Sequence, residues 1–374
     1  GRHQRDVADR GPAAQPGAVS VLAPVYAQPV AVAPQSALTT GGPAAAEIGS
    51  LWNVMLVIGT ATTVLVIVLL LVALFRRRHA DELPPEADRP ADPRGEATNE
   101  ESGARGREDR GRPRSERLGT RWMVAGGVAF PAVVLTILFI LTLVTMGAMY
   151  PRRGERTPLT VEVTGTQWWW DVRYVGDEPQ RIVRTANEIH IPTGQRVRVL
   201  LRSNDVIHSF WVPGLQGKVD MIPGRTNVTW LQADRPGMWR GQCAEFCGLQ
   251  HAKMALVVVA HEPREFAAWI AREVRPAAPI ADSALAAGQR EFATAGCQLC
   301  HTVRGTSALA AAGPDLTHVA SRRTLAAGEL PNTRGNLYGW LANPQALKPG
   351  TKMPAVPLTP EQLHAIVRYL ESLR

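Results

Sequence analysis

The sequence predicts a multi-domain fold: a two-helix transmembrane hairpin, then a small all-β domain of sandwich or barrel type, then an all-α domain. Three observations carry that expectation. Two long apolar runs precede Tyr150, short β-branched and aromatic runs separated by Pro-Gly turns follow, and the C-terminal stretch has helical periodicity. A chain of 374 residues has room for this arrangement.

Residues 1–45 are rich in Ala, Pro, Gly and Val without helical or strand period, and are expected to be a disordered or processed N-terminus. The hairpin is expected over 46–150. Its first span, Leu51 to Phe75, is almost uninterrupted apolar sequence ending at Arg76-Arg77-Arg78, and its second runs over 122–149. At about 1.5 Å per residue, either run can cross a hydrocarbon core of ~30 Å. The loop between them, 76–121, carries twelve arginines and no lysine. Such a loop stays in the cytoplasm, so both flanking regions lie outside. Net charge is +8, but the arginines gather in that loop rather than on an aromatic-laced face, which argues against nucleic-acid binding. Neither span contains histidine, so this chain alone cannot hold a haem inside the bilayer.

Residues 151–274 carry the strand signals: Thr160 to Tyr174, Arg196 to Ser203, Thr226 to Leu231 and Ala255 to Ala260. Turns at Pro213-Gly214, Pro223-Gly224 and Pro236-Gly237 separate them. A helix is expected at 263–274, with Phe266, Trp269, Ile270 and Val274 on one face. Residues 275–283 read as a linker, and 284–374 as a helical, loop-rich domain. Its last helix has Thr359 as cap, Pro360 in the first turn and Gln362 completing a capping box.

The segment Cys243-Ala-Glu-Phe-Cys-Gly-Leu-Gln-His251-Ala-Lys-Met254 concentrates soft donors. Two thiols, an imidazole and a thioether suit copper, zinc or iron–sulfur, and a thioether favours copper. His208 waits upstream at the end of a predicted strand. Two His, two Cys and one Met exceed what one tetrahedral zinc needs, and fit two copper ions bridged by the thiolates; a structural zinc site is the alternative. A second motif, Cys297-Gln-Leu-Cys300-His301, is a c-type haem attachment sequence: two thioether bonds and a proximal histidine. A sixth ligand is expected downstream, from Met353 in Lys348-Pro-Gly-Thr-Lys-Met353-Pro, with His318 as the alternative. Three adjacent tryptophans, Trp168 to Trp170, cannot all face one core, so at least one is expected at a surface or interface. His190, His261 and His364 lack partners at ligand spacing and read as surface or satisfied histidines.

On these motifs, residues 51–274 resemble subunit II of cytochrome c oxidase, and 283–374 resemble a class I cytochrome c, as in caa3-type oxidases. The resemblance implies a cupredoxin-like β-sandwich holding a binuclear CuA centre. Its ligands are His208, Cys243, Glu245 through the backbone carbonyl, Cys247, His251 and Met254. It further implies a magnesium ion on the Glu245 side chain at the boundary with subunit I, and electron arrival at Trp168. The implied route runs from a donor such as a bc complex or another cytochrome c, through the chain's own haem c and CuA, to subunit I, where oxygen is reduced and protons are pumped. The linker acts as a tether that raises the local concentration of donor. The resemblance also implies the bacterial inner membrane, with both soluble domains on the periplasmic face. A CuA-bearing nitric oxide reductase subunit and a membrane-bound copper or redox protein are the rival readings. The copper ligands disfavour a third, a quinol-oxidase subunit.

Overall fold

The computed structural model describes residues 35–81, 114–149, 157–176 and 182–374. Most of 1–45 and most of the arginine-rich loop therefore lie outside the described residues. Helix α1 runs Pro43–Asp81. The second apolar segment begins as α2 (Arg114–Val124), passes through a π-turn at Ala125–Ala129 and continues as α3 (Phe130–Met149). Pro131 accounts for the turn. It has no N–H to donate and its ring crowds the carbonyl four residues back, so the helix widens locally and Phe130 N–H bonds to the Ala125 carbonyl. The spans Pro43–Arg76 and Leu118–Met149 are long and apolar enough to cross a membrane, and they contact each other. Their apolar side chains, Leu70, Phe75, Phe139 and Val144 among them, are exposed, as a lipid-facing hairpin requires.

The start of α1 differs from the expectation. It begins at Pro43, within the stretch read as disordered or processed, and the residues just before it are tied down. Gly41 N–H donates to Gly214 O at 2.7 Å and Asp234 N–H donates to Gly41 O at 2.9 Å. A short piece of N-terminal backbone is thus bonded to the β domain, directly joining the first span to it.

Ten strands form two five-stranded sheets. They are β1 (Thr160–Thr166), β2 (Trp169–Val175), β3 (Val183–Ala186), β4 (Glu188–Pro192), β5 (Val197–Ser203), β6 (His208–Val212), β7 (Gln216–Met221), β8 (Asn227–Leu231), β9 (Gly237–Cys243) and β10 (Ala255–His261). One sheet has the order β3-β2-β1-β5-β8 and the other β4-β10-β9-β6-β7. In β1, Val161 and Val163 point inward while Glu162 and Thr164 stay at the surface, the alternation that makes one face of a sandwich. Strand β10 is buried almost throughout because it lies between β4 and β9. Trp170 and Phe210 meet edge-on between the sheets, with ring centroids 6.0 Å apart. Helix α4 (Pro263–Glu273) closes the sandwich through Trp269, whose indole stacks on His190 at 4.1 Å.

The C-terminal domain comprises α5 (Ser283–Thr294), α6 (Arg334–Ala342), α7 (Pro344–Leu347) and α8 (Pro360–Ser372) with long loops. Asp282 caps α5 by accepting from Ala284 and Leu285 N–H. Helix α8 has the expected capping box, with Thr359 accepting from Gln362 N–H and Gln362 accepting from Thr359 N–H. Helices α5 and α8 cross, Phe292 against Tyr369.

The linker is not a free tether. Ala277 N–H donates to Arg304 O, Arg304 donates to the Glu273 and Val274 carbonyls, and His318 Nε2 donates to Arg275 O at 3.0 Å. Such bonds arise between residues distant in sequence, so composition alone leaves them unseen.

Candidate metal and haem sites

The first site grows from the edges of β6 and β9. Cys243 ends β9, and its N–H donates to Met254 O at 2.9 Å, closing the base of the 244–254 loop. Ala244 N–H donates to Ser209 O, binding that loop to β6, where His208 is the first residue. Gly165 of β1 makes room for the imidazole, since a Cβ there would come within 2.8 Å of the His208 ring. Within this frame the donors converge. Cys243 Sγ and Cys247 Sγ are 3.6 Å apart. His208 Nδ1 lies 3.9 Å from Cys243 Sγ, and His251 Nδ1 lies 3.7 Å from Cys247 Sγ. Met254 Sδ is 3.8 Å from Cys247 Sγ, and Glu245 O is 3.2 Å from Cys243 Sγ. His208, both cysteines and Met254 are buried.

The electrostatics suit a cation. The Cys247 thiol donates to Cys243, and His208 and backbone N–H groups assist. Together they bring the Cys243 thiol down to about 3 despite burial, while the same shared proton holds Cys247 above the ordinary thiol range. Burial opposes charging His208, but its contacts with Cys243 and Asp205 outweigh it and raise its pKa. Its Nε2 donates to Asp205 Oδ1 at 2.9 Å, which leaves Nδ1 facing the sulfurs. Asp205 was missed in the sequence, although its position three residues before His208 was a usable signal. A thiolate pair flanked by two imidazoles, a thioether and a carbonyl fits two soft ions better than one hard one.

Trp168 joins the same cluster, with Nε1 donating to Cys247 O at 3.0 Å. It is 9% exposed, Trp170 is fully buried and Trp169 is half-buried, so the surface position expected of one tryptophan is covered in Trp168's case. The cover comes from the C-terminal domain, where Lys348 Nζ donates to Trp168 O at 2.8 Å.

The second site sits on a 3-10 turn, Cys297–Leu299, where His301 N–H bonds back to Cys297 O. His301 Nδ1 donates to Pro314 O at 2.8 Å, fixing the tautomer that leaves Nε2 free for iron. Gly313 permits this approach, because a Cβ there would lie 2.8 Å from the His301 ring. Burial holds the imidazole below its usual pKa, hence neutral, and raises the Cys297 thiol. Met353 packs into the same apolar cluster as Cys297 and Leu316. Gln345, also missed in the sequence, shapes the methionine loop by donating to Thr351 O and Met353 O and accepting from Gly350 N–H. His318 points elsewhere, towards the linker. These residues fit a covalently held haem.

A β-sandwich with a soft-ligand metal cluster, joined to a helical domain with a haem-attachment turn and anchored by two apolar helices, defines a membrane-bound electron-transfer protein. The family model for the periplasmic domain of cytochrome c oxidase subunit II matches residues 175–261, and that for cytochrome c matches residues 285–374. Cytochrome c oxidase subunit 2 of Alkalihalophilus pseudofirmus is 38% identical over 255 residues, covering 65% of this chain and 71% of the relative. That of Bacillus subtilis is 32% identical over 254 residues, covering 65% and 70%. Among solved structures, the periplasmic domain of subunit II of cytochrome oxidase from Bradyrhizobium japonicum is 34% identical, covering 32% of this chain and 95% of its own, with a TM-score of 0.30. The chain belongs to the cytochrome c oxidase subunit 2 family, in the form that carries a C-terminal cytochrome c domain, consistent with a caa3-type fusion. It is a subunit of an oxidoreductase complex. The cytochrome c domain implies haem and the subunit II domain implies copper. The two candidate spans and the periplasmic-domain match fit a membrane protein with both soluble domains outside.

Proposed function

We propose that the chain passes electrons from a covalent haem c to a binuclear CuA centre and on to subunit I, where oxygen is reduced to water with proton pumping. The observation that carries this reading is the convergence of His208, Cys243, Glu245 O, Cys247, His251 and Met254 in one cluster, of which His208, both cysteines and Met254 are buried. When bound, the copper pair and the haem iron each take up and release one electron at a time. The chain's residues do the rest. His208, Cys243, Cys247, His251, Met254 and the Glu245 carbonyl would hold the copper pair. Asp205 holds the His208 ring in its working tautomer. Cys297 and Cys300 would hold the haem covalently, and His301 and Met353 would be its iron ligands. Trp168 receives electrons and is bonded to the Cys247 carbonyl. The Glu245 side chain, 44% exposed and 3.8 Å from Lys218, is available to a magnesium ion at the subunit I boundary.

The partners are subunit I and other oxidase subunits, together with an upstream donor such as a bc complex or another cytochrome c. The setting is the bacterial inner membrane. A combined metal and haem assay on the purified chain tests the reading, with two coppers and one covalent haem expected. Near-infrared absorption and the multiline electron paramagnetic resonance of a mixed-valence pair should accompany them. Mononuclear copper or zinc would overturn the CuA assignment. Nitric oxide turnover without oxygen turnover in the assembled complex would overturn the oxidase assignment.

A further inference from the structure

We propose that Lys348 is a positioning residue that docks the cytochrome c domain onto Trp168, so that electrons leave the haem through one fixed contact rather than by tethered encounters. The proposal rests on the CuA and haem c reading above.

Lys348 is 2% exposed. Its Nζ donates to Trp168 O at 2.8 Å, Lys253 O at 2.7 Å and Ala326 O at 3.0 Å. Two of those carbonyls belong to the sandwich and one to the C-terminal domain. An ammonium has three N–H donors, and all three are spent here. Among the described residues no carboxylate forms an ion pair with it; the Glu329 charge favours it without direct contact, and the three carbonyls replace its lost hydration. Such a group is expensive to bury and is poorly explained by the stability of either domain alone. It makes sense as a device that exists only when the two surfaces meet.

The rest of the methionine loop agrees. Gln250 Nε2 donates to Pro349 O at 2.6 Å and Lys253 Nζ donates to Leu347 O at 2.9 Å. Lys352 Nζ lies 3.3 Å from Asp205 Oδ2, the carboxylate whose other oxygen holds His208. The loop that carries Met353 is therefore bonded to the segments that carry the copper ligands. From Lys348 the contact continues through the Trp168 backbone to its indole, and from Nε1 to the Cys247 carbonyl. Nearby, Ala255 N–H donates across the domains to Ala327 O at 2.9 Å. The step balances as one electron given up on the haem side and one gained on the copper side, with no bond made or broken. Its rate depends steeply on the gap, which the docked contact sets.

The test uses the full-length chain carrying Lys348→Met. Flash reduction of the haem, followed at the near-infrared copper band, reads the transfer rate; hydrogen exchange at the Ala255 amide reads the docking. If the variant is docked about a tenth as often as the wild type, it should transfer about tenfold more slowly. Ala255 should lose protection while copper content, haem content and both spectra match the wild type. Unchanged rate and protection in a fully loaded variant would overturn the proposal. A wild-type chain that takes up neither cofactor would instead overturn the reading beneath it. Ile366→Val, which thins the core of the C-terminal domain, should lower Tm yet leave rate and Ala255 protection intact; equal slowing there would mark the Lys348 effect as loss of stability only and overturn the proposal. If Lys348→Met fails to fold, Gln250→Ala removes one docking bond, and a smaller slowing with partial loss of protection is expected. No change in either would overturn it.

Discussion

The two sites of this chain are built in opposite ways. In the sandwich, the donors already stand 3.2 to 3.9 Å from one another's sulfur atoms, on strand ends and a loop closed at its base by ladder-like bonds. His208 and Met254 are fully buried among side chains that the sheets would order in any case. In the C-terminal domain the candidate ligands lie on a 3-10 turn and in loops. Cys300 is exposed, and Leu299 between the cysteines is 74% exposed. Cys297, Leu316 and Met353 are only partly buried against the cluster around Phe292 and Tyr369. A copper pair would therefore enter a frame that the sheets already order, whereas a haem would add apolar area against which Cys297, Leu316 and Met353 could pack. A large apolar macrocycle contributes burial that few side chains here could replace.

Blocking haem attachment should break this comparison most visibly if it is mistaken. In the full-length chain, Cys297→Ala with Cys300→Ala should abolish covalent haem and remove the cooperative thermal transition of residues 284–374. Limited proteolysis should then cut within that region, while the sandwich keeps its own transition and its copper. Cys243→Ser with Cys247→Ser should abolish copper uptake yet leave both transitions in place. Equal damage to fold from the two double variants, followed by circular dichroism and proteolysis, would erase the distinction.

Met353→Leu is the next largest effect. The haem should stay attached through its cysteines, but loss of the thioether should lower its potential by roughly 0.1 V, a fraction of the ~0.8 V range that axial ligands span. Electron entry from the external donor should slow, because a haem of lower potential is a weaker acceptor, and the haem spectrum should change. Potentiometry and absorption spectra check this. A wild-type spectrum would mean that another residue is the sixth ligand.

What was legible in the sequence follows from locality. The copper segment is contiguous from Cys243 to Met254, and the haem turn is contiguous from Cys297 to His301, so donor type and spacing were enough to single them out. The membrane pair and the sandwich class followed from long apolar runs and from strand runs with Pro-Gly turns. Asp205 sat within reach of that reasoning, because its spacing from His208 is short; Gln345 and Lys348 did not. Lys348 meets Trp168 across 180 positions, and nothing in the Lys348-Pro-Gly-Thr-Lys-Met353 pattern distinguishes a lysine that meets solvent from one that meets a second domain. The N-terminal backbone bonds at Gly41 escaped for a similar reason: a few residues paired to distant strands leave no period. The 275–283 linker was legible as a connection but not as a fixed one, since its bonds to Arg304 and His318 come from a loop more than 25 positions away in sequence.

The smallest expected effect gives the sandwich a pH signature of its own. His261 Nε2 and His190 Nδ1 are 2.7 Å apart, and the two rings stack at 5.0 Å beside Trp269. Burial, then the charges of His190, Arg323 and Arg272, lower the His261 pKa from 6.5 to about 4. The folded state therefore resists a proton that the unfolded chain accepts. Between about pH 6.5 and about pH 4 the unfolded state binds more protons, so stability falls as pH falls through that window and rises as pH rises. Each pKa unit is worth about 1.4 kcal/mol, and partial solvent screening leaves an expected loss of about 1 to 2 kcal/mol. For a domain of about 100 residues that is several degrees in Tm. His261→Gln should flatten the slope of the sandwich transition across this window, in thermal scans at fixed ionic strength, without shifting haem or copper spectra. An unaltered slope would show that the histidine pair does not carry the acid sensitivity of the sandwich.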